Sequence, residues 1–179
     1  MLLKNYIPRY THQDYKLWEG DWELINGYPC AMSPSPLLKH QRIGRKFLQA
    51  ISNELDNKKK DCLCEAFYET DWKISEDTIV RPDIVIVCGS INVNDIITTT
   101  PILIVEIFSP STRLKDRNLK FNLYQQCGVK YYLMADPDAK TIECFALTNN
   151  AYIEMKNEWQ FQLTNTCHIT LSLEPIFAD

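Results

Sequence analysis

Apolar and polar positions along the chain change period several times, and each change marks an element. Residues 22–32, WELINGYPCAM, are two extended runs joined by Asn26-Gly27, a strong hairpin signal. Pro29 confines the second arm to an edge. After Ser33-Pro34-Ser35-Pro36, a helical run extends from about Leu37 to Leu55, with Ser35 as N-cap and Pro36 at the first position. Ile43, Phe47, Ile51 and Leu55 recur every four residues, and Asp56 with Lys58 to Lys60 ends the helix in solvent. Three extended stretches follow, over 62–74, 79–88 and 102–107. IVIV (84–87) and ILIVEI (102–107) are near-continuous apolar runs, the pattern of central strands covered on both faces. Ser109-Pro110-Ser111-Thr112 opens a second helix that runs to about Cys127 and stops at Gly128. VKYYLMAD (129–136) reads as another buried strand, and Asp136-Pro137-Asp138 turns into roughly three short strands. The predicted class is α/β: a mixed central sheet flanked by helices, with an N-terminal hairpin and a C-terminal β-meander.

A length of 179 residues fits one domain spanning 1–179. No apolar run approaches the roughly 20 residues of a membrane helix, and the first residues lack a signal-peptide pattern, so the expected setting is cytoplasmic, away from membranes. The net charge of −4 argues against a sequence-blind nucleic-acid coat protein. It leaves a nuclease open, because a centre that holds a cation must itself be acidic. The seven cysteines are scattered, and Cys30, Cys88, Cys127 and Cys144 lie in apolar surroundings, as buried reduced thiols do. Cys62 and Cys64 form C-x-C, without zinc-site spacing or a matching second pair.

Two carboxylates stand where strands ought to be apolar: Asp83 just before IVIV, and Glu106 inside ILIVEI. An ionised carboxylate is costly to bury without a partner. Singly, Asp83 reads as a strand-end cap and Glu106 as the partner of a surface arginine. Together they form an acidic pair of the kind that holds a hard divalent ion with water and phosphate. On the second helix, Asp116, Lys120, Leu123 and Cys127 share one face, with Leu119 and Tyr124 at its margins. Lys115, Asn118, Asn122 and Gln125 take the other side. Lys120 therefore points inward, either as a snorkelling or Asp116-paired lysine or as a catalytic ammonium. Lys39, Arg42, Arg45 and Lys46 make the first helix basic, and Arg113, Lys115 and Arg117 do the same for the second. These are a solvated face or a set of phosphate contacts, with Arg42, Arg45, Arg113 and Arg117 as the nucleic-acid-binding candidates.

RPDIVIVCG, followed by PILIVEIFSPSTRLKDRNLKFNLYQQCGVKYYLMADP, resembles the Uma family of restriction endonucleases, a branch of the PD-(D/E)XK nuclease superfamily. The upstream WELINGYPCAMSPSPLLKHQ is similar to that family's opening, so the likeness spans roughly residues 22–137. The resemblance implies a restriction-endonuclease-like core, with Asp83 as the Asp of the Pro-Asp motif and Glu106 as the second acidic ligand. The superfamily's usual lysine falls on Phe108, and the family's displaced helix lysine maps onto Lys120. The implied reaction is phosphodiester hydrolysis, most naturally in DNA, by a Mg²⁺-dependent endonuclease for which Mn²⁺ can substitute. Asp83, Glu106 and the carbonyl of Ile107 are the implied metal ligands, and the implied assembly is a homodimer. Glu23 resembles a family glutamate and is alternatively a cross-strand partner. His40 fits the family pattern and is alternatively structural, while Asp116 is expected to orient Lys120. His12 and His168 have no motif context. A competing function is a catalytically degenerate nuclease fold acting as a nucleic-acid-binding or regulatory module.

Overall fold

The computed structural model describes residues 7–32, 37–58, 62–110, 112–156, 159–172 and 174–178. A short helix, α1 (His12–Tyr15), leads into the hairpin β1 (Trp22–Ile25) and β2 (Tyr28–Ala31). Asn26 and Gly27 turn with φ of 51° and 77°, the left-handed pair that a two-residue hairpin needs. β2 is an edge strand, where the missing N–H of Pro29 is tolerated. Helix α2 (Leu38–Asp56) has Leu37 at its N-cap, without a side-chain cap. Ser35 and Pro36, expected to cap it, lie outside the described residues, as do Lys59 and Lys60. Ile43, Phe47, Ile51 and Leu55 are all buried, as their spacing of four requires.

Strands β3 (Cys64–Tyr68), β4 (Trp72–Ser75), β5 (Thr78–Val80), β6 (Ile84–Cys88) and β7 (Leu103–Ile107) follow. Two of the expected extended stretches break internally. The first divides near Glu69, whose φ is 46°, and the second at Arg81-Pro82-Asp83, where proline has no N–H for a ladder. These breaks let the chain change sheets: β4 and β5 join the hairpin in a four-stranded sheet of order β2-β1-β5-β4.

The second helix begins as a π-helical segment at Lys115–Lys120 and continues as α3 (Phe121–Gln126), ended by Gly128 at φ 80°. β8 (Tyr131–Asp136) pairs parallel with β7. Beyond it lie β9 (Thr141–Thr148), β10 (Ala151–Glu154), β11 (Gln160–Gln162) and β12 (His168–Thr170). The meander expected there is four strands rather than three. β9 and β10 extend the central sheet, whose order is β10-β9-β8-β7-β6-β3, while β11 and β12 form a separate ribbon.

Alternation along the central strands divides the core into two layers. Ile84, Ile86, Leu103, Val105 and Leu133 pack beneath α2 with Phe47 and Ile51. Val85, Val87, Ile104, Tyr132 and Met134 pack on the other face with Trp72 and Tyr124. Truncating a fully buried anchor such as Phe47 to alanine costs about 3–5 kcal/mol. Among the described residues, no helix is long and apolar enough to cross a membrane.

Of the four cysteines expected as reduced thiols, Cys88 alone departs, and Cys62, Cys64 and Cys167 are also disulfide-bonded. Cys62 is bonded to Cys167, and Cys64 to Cys88. Cys64 and Cys88 stand opposite each other across β3 and β6, a cross-strand placement that residue spacing alone does not reveal. Cys30, Cys127 and Cys144 are free.

Candidate active site

β6 and β7 pair antiparallel with Ile84 opposite Val105 and Val85 opposite Ile104. One step outward in the same register sets Asp83, just before β6, opposite Glu106, so the two acids meet at the end of the strand pair. Asp83 Oδ2 accepts a hydrogen bond from the Ile107 N–H at 2.6 Å, which anchors its carboxylate across the strand ends. Glu106 Oε1 accepts from Lys120 Nζ at 2.8 Å and from the Tyr124 hydroxyl at 2.8 Å. Glu106 is 3% exposed, and its partner is this buried amine rather than a surface arginine.

Lys120 is also 3% exposed. Besides Glu106, its ammonium lies 2.9 Å from Glu23 Oε1 on β1. The π-helical segment accounts for this inward position. The Phe121 N–H reaches the Asp116 carbonyl five residues back, and the widened turn keeps residues four apart over the sheet. The buried stripe therefore reads Asp116, Lys120, Tyr124. Leu123 and Cys127, assigned to that face on regular helical geometry, are only half-buried, and Leu119 is exposed. Lys115, assigned to the solvent side, instead pairs with Glu23 Oε2 at 2.6 Å. The remaining contact of Glu23 is the Arg81 backbone N–H, at 2.9 Å to Oε1.

Burial raises the pKa of Glu23, but Lys120 and Lys115 outweigh it and hold the carboxyl down at about 2. Glu23 and Lys120 thus form a firmly ionised pair. Burial disfavours the charged Lys120, yet Glu106, Glu23 and Asp116 raise its pKa well above the usual lysine range. Burial pushes Glu106 upward against the pull of Lys120, with Asp116 and Asp83 adding to the rise. Asp116 is likewise raised by burial, to about 6, despite Lys120. Lys120 and Lys115 face four acids, Glu23, Glu106, Asp116 and the neighbouring Asp83, so the cluster is short of positive charge.

A cleft of about 350 Å³ opens onto this cluster and is lined by Asp83, Glu106, Asp116, Lys120, Lys115 and His40, among others. Asp116 lies 3.9 Å from Lys120, beyond hydrogen-bond range, and its buried Oδ1 has no hydrogen-bond partner among the described residues. Asp83 Oδ1 and Glu106 Oε2 also have no donor among those residues. Unpartnered carboxylate oxygens, in a cluster lacking positive charge, fit a hard divalent cation. His40 Nε2 sits 3.4 Å from Asp83 Oδ2. Burial works against the imidazolium, but Asp83, Glu69 and the Ile107 backbone raise its pKa above the usual histidine value. His40, Glu69 and Asp83 bring potential ligand atoms within 4.8 Å of one another. A larger cavity of about 530 Å³ lies beside Trp18 and Trp22, but its Asp71 and Arg81 pair with each other at 2.7 Å.

The basic candidates divide into two groups. Arg42 and Arg45 are exposed on α2. Arg113 is paired with Asp136 at 2.6 Å and Arg117 with Glu143. Both guanidinium groups lie over the Phe108 ring, at 5.2 and 5.0 Å from its centroid, so Phe108 acts as their stacking platform. Sequence reasoning missed Tyr124 and Lys115 as members of the cluster. The repeat of four through Asp116, Lys120 and Tyr124 was a usable signal for Tyr124, whereas nothing local pairs Lys115 with Glu23.

Comparison with known proteins agrees with this architecture. A solved structure described as a putative nuclease from Anabaena variabilis superposes with a TM-score of 0.72 at 18% identity, covering 93% of this chain and 97% of that one, which establishes a shared fold. No curated protein matches the chain. The Uma2 family, described as "Putative restriction endonuclease", matches residues 12–175, nearly the whole length. The chain belongs to the Uma2 family of restriction-endonuclease-like proteins.

Proposed function

We propose that the protein is a divalent-cation-dependent endonuclease that hydrolyses phosphodiester bonds in DNA and acts as a homodimer. The observation that carries this reading is the convergence of Asp83, Glu106 and the buried amine of Lys120 on one cleft. Asp83, Glu106 and the carbonyl of Ile107 are the proposed ligands of Mg²⁺, with Mn²⁺ as its substitute. When bound, the cation supplies positive charge to the scissile phosphate and its attacking water.

The remaining roles fall to side chains of this chain. Lys120, kept charged by Glu23 and Glu106, offers a fixed ammonium to the charge that builds on phosphorus. Tyr124 and Lys120 orient Glu106 through one oxygen, which leaves the other for the cation. His40, beside Asp83, can hold a proton at the strand ends. Asp116 adds negative charge behind Lys120 and helps keep it protonated. Arg42 and Arg45 take backbone phosphates, and Arg113 and Arg117 do so by exchanging their carboxylate partners for phosphate.

The test compares wild type with Asp83→Ala on supercoiled plasmid and on single-stranded substrates, with Mg²⁺, Mn²⁺ or EDTA. The proposal expects cation-dependent nicking by wild type alone. Equal cleavage by the variant assigns the activity elsewhere. Binding that persists in EDTA, with no cleavage under any condition, favours a regulatory module instead.

A further inference from the structure

Four cysteines converge at the end of β3 remote from Asp83. Within the β3–β6 pair, Tyr68 and Ile84 mark the acidic end, and Cys64 stands opposite Cys88 at the other, their Cα atoms 3.9 Å apart. Cys62, two residues before Cys64, meets Cys167 just ahead of β12, with a Cα separation of 5.0 Å. The sulfurs of Cys62, Cys64 and Cys167 all lie within 4.8 Å of one another, and Cys88 is bonded to Cys64. The cluster is thus two cysteine pairs meeting at one point. Cys62 and Cys167 are fully buried there among apolar side chains.

We propose that this cluster is a zinc site in its reduced form, with Cys62, Cys64, Cys88 and Cys167 supplying four thiolates to one Zn²⁺. Four thiolates about 2.3 Å from a tetrahedral zinc stand roughly 3.8 Å from one another. Three of the four already fall within a compatible separation. An extended C-x-C segment turns both side chains to one face, since side-chain direction alternates along a strand. The second pair of ligands arrives from β6 and from the C-terminal ribbon, so no local spacing motif announces the site. Soft sulfur donors also separate it chemically from the hard oxygen donors around Asp83.

The two states are mutually exclusive. Reducing both disulfides takes four electrons and four protons, supplied by two equivalents of a dithiol that each leave as a disulfide. Zn²⁺ then displaces the four thiol protons and leaves a tetrathiolate centre. In either state the cluster ties the start of β3, the end of β6 and the ribbon together. The reduced chain exchanges two covalent staples for one metal staple.

The full-length protein, reduced with a phosphine under anaerobic conditions, is titrated with Co²⁺ and followed by absorption. The proposal expects one Co²⁺ per chain, with intense thiolate-to-cobalt charge transfer and tetrahedral ligand-field bands, both abolished by one equivalent of Zn²⁺. Protein with both disulfides intact should show neither. Cys64→Ser should weaken Co²⁺ binding at least tenfold, while Cys144→Ser, at a buried thiol outside the cluster, should leave it unchanged. Reduced wild type with its thiols confirmed free and no charge-transfer band overturns the site. Equal binding by Cys64→Ser also overturns it.

Discussion

The Lys120 ammonium and the Glu106 carboxylate lie 2.8 Å apart in the interior, and each is almost inaccessible to solvent. A buried ion pair of this kind contributes little net stability compared with apolar residues of similar volume. Its presence is better explained by what the charges do. Glu23 and Asp116 add two more acids around the same amine, and only Glu23 has a second ammonium beside it, that of Lys115, so removing Lys120 leaves buried negative charge largely uncompensated.

Lys120→Met should therefore destabilise the fold by about 3–5 kcal/mol in urea denaturation. Cleavage activity should fall by about two orders of magnitude or more. Adding Glu23→Gln and Glu106→Gln should recover much of the stability and none of the activity. Wild-type stability in the single variant would show that the amine is not buried in solution.

Glu23 predicts a specific acid response. Its carboxyl titrates at about 2 in the fold and near 4.3 when unfolded, a depressed value. The resulting stabilisation is full above the unfolded pKa and is lost as pH falls through the folded one. The shift corresponds to about 3 kcal/mol. The stability difference between wild type and Glu23→Gln should hold steady near pH 6 and shrink between about pH 4.5 and 2. A difference that stays constant over that range contradicts the assigned ion pairs.

Gly44 lies where α2 crosses Tyr68. A Cβ added there would come within 2.8 Å of the tyrosine ring and its hydroxyl. Gly44→Ala should cost about 1–3 kcal/mol through overpacking, despite alanine's better helix propensity. In a Tyr68→Ala background the same change should become neutral or stabilising. A double-mutant cycle in thermal unfolding measures the coupling.

The exposed arginines of α2 test the proposed substrate. Arg42→Ala combined with Arg45→Ala should weaken DNA binding about equally for all sequences and reduce the salt dependence by about two ions. An unchanged salt slope removes both residues from the phosphate-binding surface.

Much of this arrangement was legible in the sequence because it rests on period and on exceptions to period. Asp83 and Glu106 stand out as acids beside and within apolar strands, and their juxtaposition follows from the antiparallel register. Lys120 was placed inward by helical spacing, although the π-helical segment replaced Leu123 and Cys127 with Tyr124 on the buried stripe. The pairing of Lys115 with Glu23 joins residues 92 positions apart and had no local signal. The cysteine pairs, 105 and 24 residues apart, were hidden for the same reason. The sheet changes at Glu69 and Pro82 were missed because extended segments on either side look alike until their hydrogen-bond partners are known.

The most direct test of the proposed centre is diffraction from crystals soaked in Mn²⁺, recorded where manganese scatters anomalously. The account predicts one peak in the cleft, about 2–2.4 Å from a carboxylate oxygen of both Asp83 and Glu106, and its loss in Asp83→Ala. A peak that leaves either carboxylate uncoordinated, or no peak in crystals whose cleft is open to solvent, contradicts it.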